Sequence, residues 1–402
     1  MNGVTKTAVR SPPFRAEHIG SLLRLPELFE MRKSQMEGNT IPREEEKAIE
    51  DRAVRQIIGV QQKIGLRAIN DGEYRRDLFI GPFYSGLEGF ENVKDLPVET
   101  FRQYLPDTAD FLRRGEELTD RLICTGKIKH VGSHYTEEFN TNKQFVDPER
   151  HHEIKISLTS PYWYHYRYRA GMAYPKGVYK SDDEYFVDLV AAYRKELEIL
   201  YENGCRNVQI DDPYLTSFCS VPVLAGFKEE GVDADALLDR YIQVYKDCLR
   251  DRPADFHIGI HLCRGNFAGS RHFTVGSYDR IAIKLFNEVP VNTYYLEYDT
   301  SRAGGFEPLK HLPKHKNVIL GVITSKSPEL ENLEKLKARV HQAAAFMAEG
   351  TGESPEQALH RMGVSPQCGF ASHFLGNSLS FDDMVEKLKL VRRLADEIWA
   401  EP

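Results

Sequence analysis

Two residue types that bind metals stand two positions apart at the end of a β-rich run. The run 256-FHIGIHLC-263 ends with His261 and Cys263, and the period of two along a strand places both side chains on one face. The two side chains can therefore share one ion. His257 projects to the same face, but its place at the strand start predicts a packed or hydrogen-bonded histidine. Two ligands alone are weak evidence for a metal site.

Further ligand types lie at the ends of two other predicted strands. Glu297 closes the run 293-TYYLEYD-299, and Cys368 lies in 363-GVSPQCGF-370. Two thiolates, one imidazole and one carboxylate form a set that suits tetrahedral Zn²⁺. We therefore predict that His261, Cys263, Glu297 and Cys368 bind zinc. The alternative is a core thiol at Cys368 and a solvated strand end at Glu297, and spacing alone does not exclude it.

The sulfur content of this ligand set determines which chemistry it favours. Two thiolates lower the Lewis acidity of zinc, so hydrolysis is disfavoured, whereas a substrate thiol on the metal is deprotonated at neutral pH and stays nucleophilic. The carboxylate of Glu297 is the hardest of the four ligands and is the natural one to yield to an incoming thiol. The sequence therefore predicts an enzyme that activates a small thiol.

Polar residues at three more predicted strand ends can bind a charged substrate. The tips 70-NDGE-73 and 211-DDP-213 carry Glu73 and Asp211, whose carboxylates can bind an ammonium group. The turn 18-HIGS-21 offers backbone N–H groups that can hold a carboxylate. Helix capping by Asp212 and ordinary turns explain the same residues equally well.

The elements that position these residues alternate between short apolar runs and longer amphipathic stretches. This pattern is typical of parallel strands joined by helices, and eight such units predict an α/β fold of the (β/α)₈ TIM-barrel class, whose active site lies at the carboxyl ends of the strands. Ser181, Asp233 and Ser380 are predicted helix caps. The predicted strands are 14–21, 67–73, 153–158, 206–212, 256–263, 293–299, 317–324 and 363–370, and the predicted helices are 43–64, 182–203, 234–250, 278–288, 328–349 and 381–399.

Two segments do not fit the barrel pattern and are predicted to lie over the barrel mouth. They are residues 84–150, which are polar and rich in aromatic residues, and residues 160–179, which are dense in Tyr and Pro. We expect a single catalytic domain over residues 1–402, with 84–150 as an insertion.

Bulk composition excludes several classes of partner. The chain has 402 residues and a formal net charge of -7, with no clustered basic residues, so a nucleic-acid partner is not expected. No apolar run approaches the roughly 20 residues of a membrane span, and the start lacks the apolar stretch of a signal peptide. We therefore predict a cytoplasmic protein without a membrane partner. The six cysteines are too sparse for a disulfide framework.

Seven motifs together resemble the catalytic C-terminal half of cobalamin-independent methionine synthase. The resemblance runs in order from about residue 14 to 399 and is greatest to the short stand-alone members usually called methionine-synthase-like proteins. The motifs are EHIGSLLR, DGEYRRD, VQIDDP, HLCRGN, LEYDTSRAGGFEPL, LGVITSKSPELE and SPQCGFASHFLGN.

The resemblance implies a (β/α)₈ barrel and specific roles for named residues. It implies that His261, Cys263, Glu297 and Cys368 bind zinc. It also implies that the amino-acid thiol, homocysteine in the family, is held by the residues Ile19, Gly20, Ser21, Glu73 and Asp211.

Two departures from the family pattern concern the methyl donor. The full-length members have an N-terminal half that helps to hold a polyglutamylated folate, and we expect none here. Their proton-donating histidine is replaced by Lys326 in TSKSP, so Lys326 is the candidate catalytic acid.

These observations favour a zinc-dependent thiol S-methyltransferase of methionine biosynthesis. It would transfer a methyl group from a methylfolate or another donor to homocysteine or a similar thiol. Two alternatives stay open. One is a zinc-dependent thiol alkyltransferase that opens an epoxide, as in epoxyalkane:coenzyme M transferases, and the other is a non-catalytic, zinc-stabilised binding protein. A homo-oligomer or an accessory protein also stays open.

Overall fold

The computed structural model describes residues 13–118 and 121–399, and a parallel sheet forms its centre. A separate two-stranded antiparallel sheet precedes it along the chain. This smaller sheet pairs β1 (Leu87–Asn92) with β2 (Leu122–His130). The sheet has the strand order β3 (Lys155–Thr159), β4 (Asn207–Asp211), β5 (His257–Leu262), β6 (Thr293–Glu297), β7 (Asn317–Ile323) and β8 (Met362–Pro366).

The two edges of the six-stranded sheet are extended by segments predicted as full strands. Ala16 forms a parallel bridge with Val364, and Ile69 forms one with Ile154. Each segment makes one bridge, and its backbone departs from strand geometry four residues later, at Gly20 with φ +142° and at Glu73 with φ 58°. Among the described residues, no run of β-sheet hydrogen bonds pairs the predicted strand 14–21 with the predicted strand 67–73. The arrangement is an α/β fold of the TIM-barrel type with two irregular strands.

Helices follow the strands and cover the outside of the sheet, as the sequence predicts. Ser181 and Asp233 cap their helices by accepting backbone N–H bonds from Glu184 and Ala236. One predicted start is wrong, because Asn332 rather than a residue near 328 caps its helix. The helices are α1 (Pro26–Met36), α2 (Arg43–Ile64), α3 (Pro106–Arg114), α4 (His134–Asn142), α5 (Trp163–Arg167), α6 (Asp182–Glu202), α7 (Tyr214–Ser217), α8 (Val221–Glu230), α9 (Ala234–Cys248), α10 (Asp279–Glu288), α11 (Leu333–Thr351), α12 (Pro355–Leu359) and α13 (Phe381–Trp399).

The sheet is buried on both faces, and charged residues lie inside it. Every residue of β4, β6 and β7 is buried, as expected for parallel strands covered by helices. Lys155 on β3 is 2% exposed, and its Nζ lies 2.7 Å from Oε2 of Glu17. The same nitrogen donates to Oε1 of Gln209 over 2.9 Å. This buried polar chain connects the first strand segment to β4.

The predictions on disulfides and on membrane-spanning helices can be compared with the structure of the described residues. All six cysteines lie within them and are free thiols. No helix of the described ranges is long and apolar enough to cross a membrane. The segment 84–150 contributes β1, α3, β2 and α4.

Candidate metal centre and substrate pocket

The four predicted zinc ligands lie together at the carboxyl ends of three strands. His261 is the second-to-last residue of β5, and Cys263 directly follows that strand. Glu297 is the last residue of β6, and Cys368 follows β8. One ligand atom from each residue lies within 4.8 Å of all the others. Because parallel strands end at one edge of the sheet, residues far apart in the chain converge there.

The environment of these side chains fits a metal ion. Both ring nitrogens of His261 are buried and have no hydrogen-bond partner of acceptable geometry in the described part of the chain. The sulfurs of Cys263 and Cys368 are 3.4 Å apart, compared with about 3.8 Å for two thiolates on a tetrahedral zinc. Buried polar atoms without partners are costly, and a cation between these atoms would satisfy them. The donor set therefore fits zinc.

The electrostatics of the cluster also favour a bound cation. Contact with Cys263 lowers the pKa of the Cys368 thiol well below its ordinary value, and the same contact raises the pKa of Cys263. Burial alone would lower the pKa of His261, but the adjacent Cys368 sulfur and the carboxylates of Asp211 and Glu297 raise it to about 9. The lowered pKa of Cys368 favours a negative charge on its sulfur, and a bound cation would offset that charge.

Glu297 is held by two donors in addition to its place in the cluster. Its Oε1 accepts the backbone N–H of Arg264 over 2.6 Å, and its Oε2 accepts from Nη2 of Arg302 over 2.7 Å. The side chain is fully buried, and burial raises its pKa. These donors can hold the carboxylate charge whether or not an oxygen ligates a metal.

Glu73 has an unusual backbone conformation and an unsatisfied carboxylate. Its φ of 58° is rare for a residue with a side chain, and Arg24 and Asp71 hold it by hydrogen bonds to its carbonyl and N–H, at 2.9 Å each. Its Oε2 is buried without a hydrogen-bond partner among the described residues. Burial raises the pKa of Glu73 to about 8 and that of Asp211 to about 6, and the Asp211 carboxylate also raises the pKa of Glu73. A cationic group between them would stabilise both ionised forms.

The turn at Ile19, Gly20 and Ser21 lies beside these carboxylates. A Cβ atom at position 20 would lie 2.8 Å from Oε1 of Glu73 and 2.6 Å from Oγ of Ser157. Glycine is therefore required by the close packing as well as by its φ of +142°. Ile19 and Ser21 line the same cavity as Glu73 and Asp211.

One cavity of about 120 Å³ joins the metal cluster to the predicted substrate residues. His261, Cys263 and Cys368 line it, whereas Glu297 is not among its lining residues. Sequence reasoning did not identify its aromatic walls, although it did predict that aromatic-rich segments lie over the barrel mouth. The aromatic side chains in the lining are Phe79, Phe111, Trp163, Tyr214, Phe267 and Phe273, together with His373.

Lys326 lies near the cluster but outside the lining of this cavity. Its Nζ donates to Oδ1 of Asn266 over 2.7 Å and to the carbonyl oxygen of Arg271 over 2.9 Å. Burial lowers its pKa, which the nearby cysteine sulfurs and Glu297 partly offset. The ammonium therefore holds the loop that follows β5, and the catalytic role proposed for Lys326 stays a prediction.

The fold and the site define a class of TIM-barrel-type proteins with a sulfur-rich set of possible metal ligands beside a cavity. Residues 176–395 match the family model described as cobalamin-independent synthase, catalytic domain. The chain belongs to the cobalamin-independent methionine synthase family, which confirms the resemblance in its sequence motifs.

Relatives of similar length cover nearly the whole chain. An uncharacterized Bacillus subtilis protein, YxjH, is 32% identical over 97% of this chain and 96% of its own length. A methionine synthase of Pyrococcus furiosus is 22% identical over 94% of this chain and 90% of its own. A solved structure of a candidate vitamin-B12-independent methionine synthase from Listeria monocytogenes has a TM-score of 0.71 at 26% identity, covering 98% of this chain and 100% of that one.

Proposed function

We propose that this chain is a zinc-dependent thiol S-methyltransferase that methylates homocysteine or a closely related amino-acid thiol. The observation that carries the proposal is one cavity that contains both a sulfur-rich ligand set and a buried, unsatisfied carboxylate oxygen on Glu73. A molecule with a thiol at one end and an ammonium group at the other complements both features. Membership of a family that is generally zinc-dependent supports the same reading.

Zinc bound by His261, Cys263, Glu297 and Cys368 would lower the pKa of a substrate thiol, so that the thiolate is present at neutral pH. The protein's own residues orient that substrate. Glu73 and Asp211 bind the ammonium group, and the N–H groups of the turn at Gly20 and Ser21 bind the carboxylate. Burial in a narrow cavity strengthens each of these contacts.

Among the residues that would hold zinc, Glu297 would be the one to yield to the substrate sulfur. Its displaced carboxylate would remain paired with Arg302, whose Nη2 lies 2.7 Å from Oε2, and with the N–H of Arg264. These contacts keep the charge of the departing carboxylate satisfied, which lowers the cost of exchange.

The thiol-alkylating alternative that uses coenzyme M is less well supported by the residues of the cavity. Coenzyme M carries a sulfonate, which would lie against the carboxylates of Glu73 and Asp211. Like charges at short distance in a buried site are strongly unfavourable. Homocysteine would instead place a positively charged ammonium group beside Glu73 and Asp211.

The test of the proposal measures metal content and the metal's ligands. We expect about one zinc per chain, loss of zinc in Cys263→Ser and Cys368→Ser, and retention in the matched control Cys219→Ser, whose thiol lies outside the cluster. Addition of homocysteine should add one sulfur ligand and remove one oxygen ligand, as measured by X-ray absorption at the zinc edge. Full zinc in both cluster variants, or an unchanged ligand shell with homocysteine, would refute the proposal.

A further inference from the structure

A chain of three polar side chains runs from Lys326 to the wall of the cavity. Nζ of Lys326 donates to Oδ1 of Asn266 over 2.7 Å. Nδ2 of Asn266 donates in turn to Oγ of Ser372 over 2.8 Å. Asn266 and Ser372 line the same cavity as His261 and Cys368, whereas Lys326 does not. Lys326 is thus connected to the cavity through these two side chains.

A backbone carbonyl determines the orientation of the Asn266 amide. Nδ2 of Asn266 also lies 2.8 Å from the carbonyl oxygen of Gly369, and a carbonyl oxygen can only accept a hydrogen bond. The NH2 group must therefore face Gly369, which leaves Oδ1 to face Lys326. One hydrogen of the NH2 group is donated to Gly369 and the other to Ser372. Both amide hydrogens of this buried side chain therefore have acceptors.

The same geometry leaves the hydroxyl hydrogen of Ser372 without an acceptor. A hydroxyl group accepts through its oxygen and has one hydrogen to donate, and the oxygen of Ser372 accepts from Asn266. The hydroxyl donates to no other residue in the described part of the chain. Ser372 is 8% exposed and lines the cavity. Since a buried donor without a partner is costly, a ligand that presents an oxygen or nitrogen acceptor would be stabilised there.

The loop that follows β8 fixes the position of Ser372. The carbonyl oxygen of Ser372 accepts the N–H of Phe79 over 2.8 Å, and the N–H of Phe370 in the same loop donates to the carbonyl oxygen of Ser21 over 2.8 Å. Gly369 packs so closely against Ser21 that an added Cβ atom would overlap its Oγ. The hydroxyl group is therefore held in a loop that packs on the turn proposed to bind the substrate carboxylate.

We propose, on the basis of the thiol methyltransferase function above, that Ser372 selects substrates by donating its hydroxyl hydrogen to an acceptor atom of a bound molecule. Asn266 and Lys326 are positioning residues that direct this hydrogen into the cavity, and neither has to transfer a proton in this role. The acceptor belongs either to the carboxylate of the amino-acid thiol or to a polar group of the methyl donor. A carboxylate accepts about four hydrogen bonds, so the N–H groups of the turn at Gly20 and Ser21 leave room for this one.

The binding test uses calorimetry on zinc-loaded protein and identifies which molecule carries the acceptor. Ser372→Ala should weaken the binding of either homocysteine or 5-methyltetrahydropteroyltriglutamate by about tenfold, the effect of one hydrogen bond in a buried site. A loss for homocysteine but not for 3-aminopropane-1-thiol, which lacks the carboxylate, identifies the thiol substrate. A loss for the folate alone identifies the methyl donor. Ser372→Thr, which keeps the hydroxyl group, should restore binding, and Ser85→Ala, at an exposed position outside the cavity, is the control.

A double-mutant cycle tests the positioning role of Lys326. Lys326→Met should weaken the binding of the same ligand as Ser372→Ala does. The double variant should bind that ligand no more weakly than Ser372→Ala alone, because both changes act on one hydrogen bond. In Asn266→Asp both side-chain oxygens accept, so the hydroxyl of Ser372 should turn from the cavity to the new carboxylate and the same loss should follow. Additive losses in the double variant would overturn the positioning role.

The outcomes separate this inference from the proposed function. Unchanged binding of both ligands by Ser372→Ala, or equal losses for homocysteine and 3-aminopropane-1-thiol, would overturn the inference and leave the proposed function standing. Loss of zinc from Ser372→Ala would also overturn it, since the hydroxyl would then support the metal ligands rather than a substrate. Failure of homocysteine to bind the zinc-loaded wild type would overturn the proposed function itself, and the inference with it.

Discussion

Gln209 donates a hydrogen bond from Nε2 to Oδ1 of Asp211 over 2.7 Å. The same nitrogen donates to the carbonyl oxygen of Ile19 over 2.6 Å, and Lys155 donates to Oε1 of Gln209 over 2.9 Å. One amide therefore connects the carboxylate proposed to bind the substrate ammonium to the turn proposed to bind the substrate carboxylate. It would set the distance between the two charged ends of the proposed substrate site.

Substitution Gln209→Leu removes all three of these hydrogen bonds at nearly constant volume. A hydrogen bond to a charged group is worth roughly 1.5–3 kcal/mol, so the KM for homocysteine should rise by about 10- to 100-fold. The KM for 2-mercaptoethanol, which has neither charged group, should stay within about twofold, and zinc content should be unchanged. An equal rise for both thiols would show that Gln209 supports the fold rather than the substrate site.

The carboxylates themselves are tested with a thiol that lacks the amino group. Asp211→Asn should weaken homocysteine binding by one to two powers of ten, or about 1.5–3 kcal/mol, because it removes half of the ammonium site. Binding of 4-mercaptobutyrate, measured by calorimetry on zinc-loaded protein, should change little. Parallel losses for the two thiols would argue against an ammonium site at Asp211.

Stability should depend on pH through Glu73. Its folded-state pKa of about 8 lies above the ordinary value of 4.5, so the folded state holds more protons than the unfolded state between these values. The free energy of unfolding therefore decreases as pH rises through this range, by an amount on the order of a few kcal/mol. The variant Glu73→Gln has no ionisable group at this position, so its free energy of unfolding should lack this decrease.

The measurement compares urea unfolding of the zinc-loaded proteins, without thiol substrate, at about pH 6 and pH 9. Glu73→Gln should be more stable than the wild type at the higher pH and should bind homocysteine poorly. Glu88→Gln, at an exposed position of β1, is the control and should follow the wild type. A wild-type stability that did not decrease between the two pH values would contradict the raised pKa.

Two substitutions distinguish an acid at Lys326 from a residue that holds the loop. Lys326→Arg keeps a positively charged hydrogen-bond donor but cannot release a proton at neutral pH, so a role in holding the loop predicts that the variant retains activity within about tenfold. Lys326→His retains a titratable proton and should restore more activity than Lys326→Arg only if the residue is an acid. The ratio of kcat values for these variants decides between the two roles.

The convergence of the four predicted ligand residues was predictable from sequence because it follows from local rules. The spacing of His261 and Cys263 fixes a shared face, and parallel strands bring Glu297 and Cys368 to the same edge. The substrate residues were named from motif resemblance, and the structure places Ile19, Ser21, Glu73 and Asp211 in one cavity with the cluster. Their binding roles remain predictions.

Other features depend on tertiary contacts that leave no periodic signal. The left-handed backbone of Glu73 is imposed by Arg24 and Asp71, and no propensity of glutamate indicates it. The contact of Phe111 with Phe267 depends on where α3 of the segment 84–150 packs. The hydrogen bonds of Lys326 to Asn266 and Arg271 likewise depend on the path of a loop. Sequence patterns predict strand ends well but do not predict which loops meet above them.

Cys263 and Cys368 are separated by 105 residues of chain, and β8, which places Cys368, is the last strand of the sheet. During synthesis, a nascent chain that has released β5 and β6 presents only three of the four ligands. The fourth arrives when the final strand pairs with β7, so tight binding of the proposed zinc would require the complete six-stranded sheet. Zinc bound there would act as a late checkpoint in maturation, retained by chains that contain β8 and lost by chains that end before it.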